Sequence, residues 1–134
     1  KRVEKSKTIP SGYEITIDGA RVYTGMDAVE WAVKGESLGA GEICVNSIDN
    51  DGTHRGYDLE ITEMVCEAVN VPVIASGGAG APEHLADVFT RTGASAGIIS
   101  SMLYSPRLKK NYTVREIKES LSSYDIPLRP WRLY

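Results

Sequence analysis

Hydrophobic and polar residues alternate in the first part of the chain, before longer, helix-like patterns begin. Residues 13–17 and 20–24 both alternate, and Asp18-Gly19 between them is a common two-residue turn sequence. This pattern predicts a β-hairpin over about residues 13–24.

Three later runs are short, apolar and rich in β-branched residues, at 42–48, 71–75 and 96–101. Runs of this length and composition are typical of strands that are covered on both faces, as in a parallel sheet. The segments between them are long enough to form helices. We therefore expect the strands to pair in parallel through right-handed crossovers.

Each helical segment carries a start signal. Asp27 and Asp58 are suitable N-cap residues, Pro82 suits the first position of a helix, and Thr113 with Glu116 has the spacing of a capping box. The predicted order is hairpin, α, β, α, β, α, β, α, which is an α/β fold.

Three parallel strands with helices on one side would leave the other face of the sheet bare. A closed (β/α)₈ barrel needs eight strands and about 250 residues, whereas this chain has 134. We therefore interpret residues 1–134 as one domain that is either part of a barrel or a piece that must associate.

The composition limits the partners and the compartment. The chain has 15 Lys and Arg against 18 Asp and Glu, with no basic stripe, which argues against nucleic acid and anionic membranes. No apolar run approaches the roughly 20 residues that span a bilayer. Cys44 and Cys66 fit no metal-binding spacing, and their apolar neighbours predict buried, reduced thiols in a cytoplasmic protein.

Polar or glycine-rich segments lie at the ends of all three predicted strands. They are Asp49-Asn50-Asp51-Gly52-Thr53, Ser76-Gly77-Gly78-Ala79-Gly80 and Ser100-Ser101. The carboxyl ends of parallel strands meet at the edge where α/β folds bind ligands. Because glycine lets backbone N–H groups approach an anion closely, the three segments together predict a phosphate site.

Each of these features also has a purely structural explanation. Gly77-Gly78 could be only a tight turn, and Asp49 could accept hydrogen bonds in a turn instead of acting as an acid or base. Asp51 is the better candidate for general acid–base chemistry. His54 and His84 have no partner at metal-ligand spacing, so we expect surface or capping roles for them.

The chain resembles the cyclase subunit of imidazole glycerol phosphate synthase in three segments. The sixth strand and following loop of that family are similar to Gly39-Ala40-Gly41-Glu42-Ile43, Ser47-Ile48-Asp49-Asn50-Asp51-Gly52-Thr53 and Gly56-Tyr57-Asp58. Its seventh strand resembles residues 72–80 with Glu83-His84, and its eighth resembles residues 94–101. The similarity covers nearly the whole chain apart from residues 128–134.

This resemblance implies the C-terminal half of a (β/α)₈ barrel and a lyase of histidine biosynthesis. The family converts a ring-opened, aminated ribonucleotide (PRFAR) and ammonia into imidazole glycerol phosphate and AICAR, and no cofactor or metal is implied. A glutaminase subunit, docked at the opposite end of the barrel, supplies the ammonia.

The resemblance also assigns roles to individual residues. Those that would hold or shape a substrate phosphate site are Asp51, Gly52, Ser76, Gly77, Gly78, Ser100 and Ser101. Asp51 is in addition a supporting catalytic candidate. Asn46 would point into the substrate cleft, where the family usually has Thr, and Glu42 would belong to the charged ring through which ammonia enters.

The two principal acid–base aspartates of the family lie at the ends of its first and fifth strands. Neither has a counterpart in this sequence, because Lys1-Arg2 matches the basic pair that directly follows the fifth-strand aspartate. We therefore expect the chain alone to be inactive and to need a missing N-terminal half, or self-association, to complete the barrel. Two alternatives remain open. One is a non-catalytic half-barrel that binds phosphate or a phosphosugar, and the other is an amidotransferase-linked paralogue in surface-sugar biosynthesis.

Overall fold

The structure is a computed structural model that describes residues 1–129. Its strands and helices follow the predicted order: β1 (Glu14–Ile17), β2 (Val22–Asp27), α1 (Ala28–Ser37), β3 (Ile43–Asn46), α2 (Leu59–Ala68), β4 (Val73–Ser76), α3 (Pro82–Arg91), β5 (Ala96–Gly97) and α4 (Val114–Leu121). Single turns of 3₁₀ helix lie at Ser101–Leu103 and Ser122–Tyr124. Residues 130–134 lie outside the described residues. They are the last residues of the predicted domain and of the segment, 128–134, that has no family resemblance.

Strands β3, β4 and β5 form a parallel sheet in which β4 is central. In this register Asn46 lies beside Ser76, and Ile74 lies beside Ala96. β1 and β2 form a separate antiparallel hairpin. The prediction of an α/β fold with parallel strands, intervening helices and an early hairpin is therefore confirmed.

The helices pack against one face of the parallel sheet. Val73 and Ala75 of β4 point towards the helices and are buried, as the alternation of side chains along a strand requires. Cys44 and Asn46 of β3 point to the opposite face and are exposed, and Ile74 is half-buried. The predicted bare face is present, and we call it the open face, defined by Cys44, Asn46, Ile74 and Ser76.

The buried side chains form two clusters on the helix-covered side. One joins α1 and α2 to the start of β4 and contains Ile61, Val65 and Val73. The other joins α3 and α4 to the centre of β4 and contains Met102 and Leu121, both almost completely buried. No helix within residues 1–129 has the length and apolar character needed to cross a membrane.

The helix start signals are confirmed at three of the four positions. The Asp27 carboxylate accepts N–H bonds from Val29 and Glu30 at 2.9 and 3.1 Å, and Pro82 begins α3. Thr113 and Glu116 form both hydrogen bonds of a capping box. These contacts satisfy N–H groups that the first turn of a helix otherwise leaves unpaired.

Asp58 departs from its predicted role. It occupies the N-cap position of α2, but its side chain makes no capping hydrogen bond. The buried carboxylate instead accepts hydrogen bonds from the Tyr13 hydroxyl at 3.1 Å and from the Ser47 hydroxyl at 3.3 Å. It therefore ties the hairpin segment to the end of β3, a long-range contact that no local pattern in the sequence indicates.

Three other expectations need correction. Cys44 is an exposed free thiol, because it points to the open face, and Cys66 is a half-buried one. The third parallel strand is confined to Ala96–Gly97, at the edge of the sheet, instead of extending to Ser101. The hairpin loop has four residues, 18–21, because Ile17 pairs with Val22.

Candidate functional site

The loops that follow β3 and β4 pack directly against each other at the carboxyl ends of the strands. The Gly56 N–H donates to the Gly78 carbonyl at 2.9 Å, and the Asn50 side-chain amide donates to the Gly56 carbonyl at 2.9 Å. A Cβ atom on Gly78 would overlap the Gly56 carbonyl oxygen. Gly78 is therefore required for close approach of the two loops, as well as for its positive φ of +106°.

His54 joins the third loop to the first two. Its Nε2 atom lies 2.6 Å from the Ser101 hydroxyl oxygen, just beyond β5. Its backbone packs against Gly80, where a Cβ atom would overlap the His54 carbonyl oxygen. On the other side of Gly80, the His84 Nδ1 atom accepts the Gly80 N–H at 3.0 Å. We call the surface made by residues 46–56, 76–80 and 100–101 the loop cluster.

Three backbone N–H groups of the loop cluster are left without a protein partner among residues 1–129. Within the described part of the chain, the backbone N–H groups of Gly52, Gly78 and Ser101 donate to no other protein group. The Ser100 hydroxyl pairs with the Tyr104 hydroxyl at 2.8 Å. The cluster can therefore offer hydrogen-bond donors to an anion from all three strand ends.

Asp51 lies in the loop cluster, but its backbone is already engaged. Its N–H group donates to the Ser47 carbonyl at 2.9 Å, and the residue is exposed. A carboxylate accepts hydrogen bonds and repels a phosphate. Asp51 can therefore accept a proton or a hydrogen bond through its carboxylate, but its backbone N–H is not available to donate to an anion.

Asn46 and Ser76 meet where the loop cluster joins the open face, and they belong to both. The Ser76 hydroxyl donates to the Asn46 side-chain oxygen at 2.8 Å. The pair sits at the carboxyl ends of adjacent strands, in register. With its oxygen engaged by Ser76, Asn46 retains an NH₂ group that can donate to a molecule on the open face.

Asp49 is held by the first residues of the chain. Its carboxylate pairs with the Lys1 ammonium group and accepts the Arg2 N–H at 2.7 Å. Partial burial raises the pKa of this carboxyl, but the Lys1 and Arg2 donors outweigh that effect and hold the pKa below its ordinary value. Asp49 therefore anchors the first residues of the chain, before the hairpin. This long-range contact goes beyond the local hydrogen bonds that a turn residue makes.

Glu42 lies away from the loop cluster. It directly precedes β3 and so stands at the end of that strand opposite Asn46, exposed to solvent. It borders a groove of about 460 Å³ along the free edge of β3, which Thr16 of the hairpin and Trp31 of α1 also line. We call this the edge groove.

The structure thus brings together most of the predicted site residues and separates Glu42 from them. It also adds His54, for which a surface or capping role was expected. That contact joins residues 47 positions apart, so spacing along the sequence gives no signal for it. Tyr57 is a second addition: its buried hydroxyl donates to the Ile98 carbonyl at 2.9 Å and so holds the segment that leads to Ser101.

A parallel sheet with helices on its outer side and polar loops at the carboxyl ends of its strands defines a section of a β/α barrel. Residues 3–109 match the family described as histidine biosynthesis protein, and the chain belongs to this family.

The similar curated proteins are imidazole glycerol phosphate synthase subunits. The subunit HisF of Nitratidesulfovibrio vulgaris (strain DP4) is 57% identical over 129 residues, which are 96% of this chain and 48% of the relative. The HisF subunit of Desulfatibacillum aliphaticivorans is 56% identical with the same coverage, and that of Prochlorococcus marinus (strain NATL1A) is 46% identical over 127 residues. The chain therefore spans about half the length of the curated relatives it matches.

Proposed function

We propose that this chain is the C-terminal half of a cyclase subunit of imidazole glycerol phosphate synthase and binds one phosphate of PRFAR. The observation that carries the proposal is the loop cluster, where the N–H groups of Gly52, Gly78 and Ser101 lie at three strand ends and have no partner among residues 1–129. The relatives that match 96% of the chain bear the name of this synthase, which supports the choice of substrate.

The chemistry of the cluster suits a phosphate group. Backbone N–H groups at strand ends supply directional donors without a strongly hydrated ammonium group. The Ser100 and Ser101 hydroxyls add further donors, and Gly77 and Ser76 shape the same loop. Asp51 serves the reaction through its exposed carboxylate as a supporting acid–base group, next to the phosphate rather than against it.

The open face and the edge groove support the need for a second half. An exposed sheet face with Cys44 and Asn46 leaves the substrate cleft without an opposite wall. The free edge of β3 leaves N–H and C=O groups available to a further strand. We propose that the other half supplies that strand, the opposite wall and the two principal acid–base aspartates.

The remaining features of the synthase follow from the same proposal. Ammonia would enter at the end of β3 where Glu42 lies, and a glutaminase subunit docked there would supply it. The product pair would be imidazole glycerol phosphate and AICAR, in the cytoplasm. Asn46, with its free NH₂ group, would contact the substrate in the cleft.

The test is an ammonia-dependent cyclase assay on the chain alone and on a mixture with the matching N-terminal half of a relative. We expect no turnover from the chain alone and turnover from the mixture. A Ser101→Ala chain in the mixture should raise KM for PRFAR about tenfold or more, as expected when one hydrogen bond to a charged group is lost. Robust activity from the chain alone would overturn the assignment of the acid–base groups.

The same assay, together with thermal unfolding in the presence of inorganic phosphate, separates the two other functions that the sequence leaves open. A phosphate-binding module without chemistry would be stabilised by inorganic phosphate but give no turnover in any mixture. A paralogue of surface-sugar biosynthesis would turn over a different phosphorylated substrate and leave PRFAR unchanged.

A further inference from the structure

His54 lies in one of the three parts of the loop cluster and contacts the other two. Its imidazole reaches Ser101 beyond β5, and its backbone lies against Gly80 of the loop after β4. The residue is half-buried and adopts a positive φ of +58°. A non-glycine residue in this conformation carries a steric cost of about 1 kcal/mol, so its position is determined by the packing around it.

The hydroxyl of Ser101 can make only one donated hydrogen bond, although it can accept two. If that single proton is to point at a phosphate oxygen, the bond to His54 must run the other way. The His54 Nε2–H group must then donate to the Ser101 oxygen across the observed 2.6 Å. An Nε2 atom without a proton would instead capture the hydroxyl proton and turn it away from the anion.

We propose that His54 is a positioning residue for phosphate binding: as the Nε2–H tautomer, it donates to Ser101 and so directs the Ser101 hydroxyl at the phosphate. This inference rests on the proposed phosphate site and names the residue that orients it. His84 holds the neighbouring loop in place, since its Nδ1 atom accepts the Gly80 N–H.

The experiment measures the affinity of the 134-residue chain for inorganic phosphate by isothermal titration, in wild type, His54→Ala, His54→Gln, Ser101→Ala and the double variant His54→Ala/Ser101→Ala. We expect His54→Ala to weaken phosphate binding about fivefold, the value of one oriented hydrogen bond. The side-chain amide of His54→Gln can donate from nearly the same position and should restore most of the affinity. In the Ser101→Ala background, His54→Ala should have no further effect.

The outcomes distinguish the inference from the function on which it rests. Failure of the wild-type chain to bind phosphate would overturn both. Phosphate binding that is unchanged in His54→Ala, or equal losses from His54→Ala with and without Ser101, would overturn the inference alone. If His54→Ala fails to fold, ¹⁵N chemical shifts of the wild-type imidazole decide the matter, because a neutral Nδ1–H tautomer in the phosphate-bound chain contradicts the proposed direction of the bond.

Discussion

The two faces of the parallel sheet are built from alternate residues of the same short strands, yet they are completed differently. Val73 and Ala75 point to the helices and are buried, whereas Ile74, between them, is only half-buried on the open face. Alternation along a strand makes both faces equally available to a cover, but the described chain covers only one. The sheet therefore gains the stability of a packed core on one side and keeps the other side for a partner.

The loop cluster is the exception to this contrast. It includes Asn46 and Ser76 of the open face, but its backbone packing is as close as that of a buried core. The Gly56 N–H donates to the Gly78 carbonyl at 2.9 Å, and a side chain on Gly78 would not fit. Rigid loops beside an open face are what a binding site needs, since the donors must hold their positions before the ligand arrives.

The largest effect should come from Gly78→Ala, which disrupts the close packing of the two loops. The new methyl group overlaps the Gly56 carbonyl and the residue must keep a positive φ, so we expect a loss of about 3 kcal/mol in the free energy of unfolding. The matched control is Gly52→Ala, which also has a positive φ but nothing within 4 Å of its Cβ position. It should lose about 1 kcal/mol.

Urea unfolding of both variants measures these losses. Equal losses for Gly78→Ala and Gly52→Ala would show that close loop packing is not the reason for glycine at position 78. The comparison also bears on the choice of variants for phosphate binding. Substitutions at Gly78 disturb the loops themselves, so Ser101→Ala is the cleaner probe of the anion site.

The second prediction compares neighbouring residues on the two faces of β4. Val73→Ala, on the covered face, should cost about 2 kcal/mol, because it removes two methyl groups from a packed core. Ile74→Ala, on the open face, should cost less than about 1 kcal/mol in the chain alone, although it removes more carbon atoms.

Denaturant unfolding measures the cost of each substitution, first in the chain alone and then in its complex with an N-terminal half. In the complex, the cost of Ile74→Ala should rise towards about 3 kcal/mol, as expected for a newly buried side chain. An Ile74→Ala effect that is unchanged in the complex would contradict the view that the open face receives the second half.

Local patterns in the sequence were sufficient to predict the order of the helices and strands. Alternation around Asp18-Gly19, the capping box at Thr113 and the three apolar runs each depend on neighbours a few residues apart, and all correspond to elements of the structure. The extent of β5 was overestimated, because a β-branched run next to Gly97 carries no information on how many residues find a hydrogen-bonding partner. The exposure of Cys44 was missed for a related reason: burial depends on a cover that lies outside the pattern.

The candidate site was only partly predictable. The glycine-rich and acidic loops were visible because parallel strands bring their carboxyl ends together, which is a rule of topology. The His54–Ser101 contact and the use of Asp49 to hold Lys1 depend on the paths of loops across the surface. Such contacts join residues far apart in the sequence, so neither spacing nor residue type predicts them.

The smallest expected effect concerns Asp27, which connects the hairpin to the first helix of the covered side. Burial raises the pKa of this carboxyl, but the hydrogen bonds from Ser11, Glu30 and Val29 together lower it by more, so the pKa lies below its ordinary value. A lowered folded-state pKa stabilises the fold above the unfolded value, near pH 4, and this contribution disappears as the pH falls through the folded value. Asp27→Ala should therefore cost about 1 kcal/mol at pH 7 and progressively less in acid.

Asp27→Asn is the matched control, because asparagine can accept the same capping N–H bonds but carries no charge. Its stability at pH 7 should lie between those of the wild type and Asp27→Ala, and it should fall less steeply than the wild type between pH 5 and pH 2. Other carboxyls with lowered pKa values, such as Asp49 and Glu60, titrate in the same range, so the difference between the two acid profiles is the decisive quantity. Parallel profiles would mean that the Asp27 charge adds nothing to the cap, and that the capping hydrogen bonds alone stabilise the start of α1.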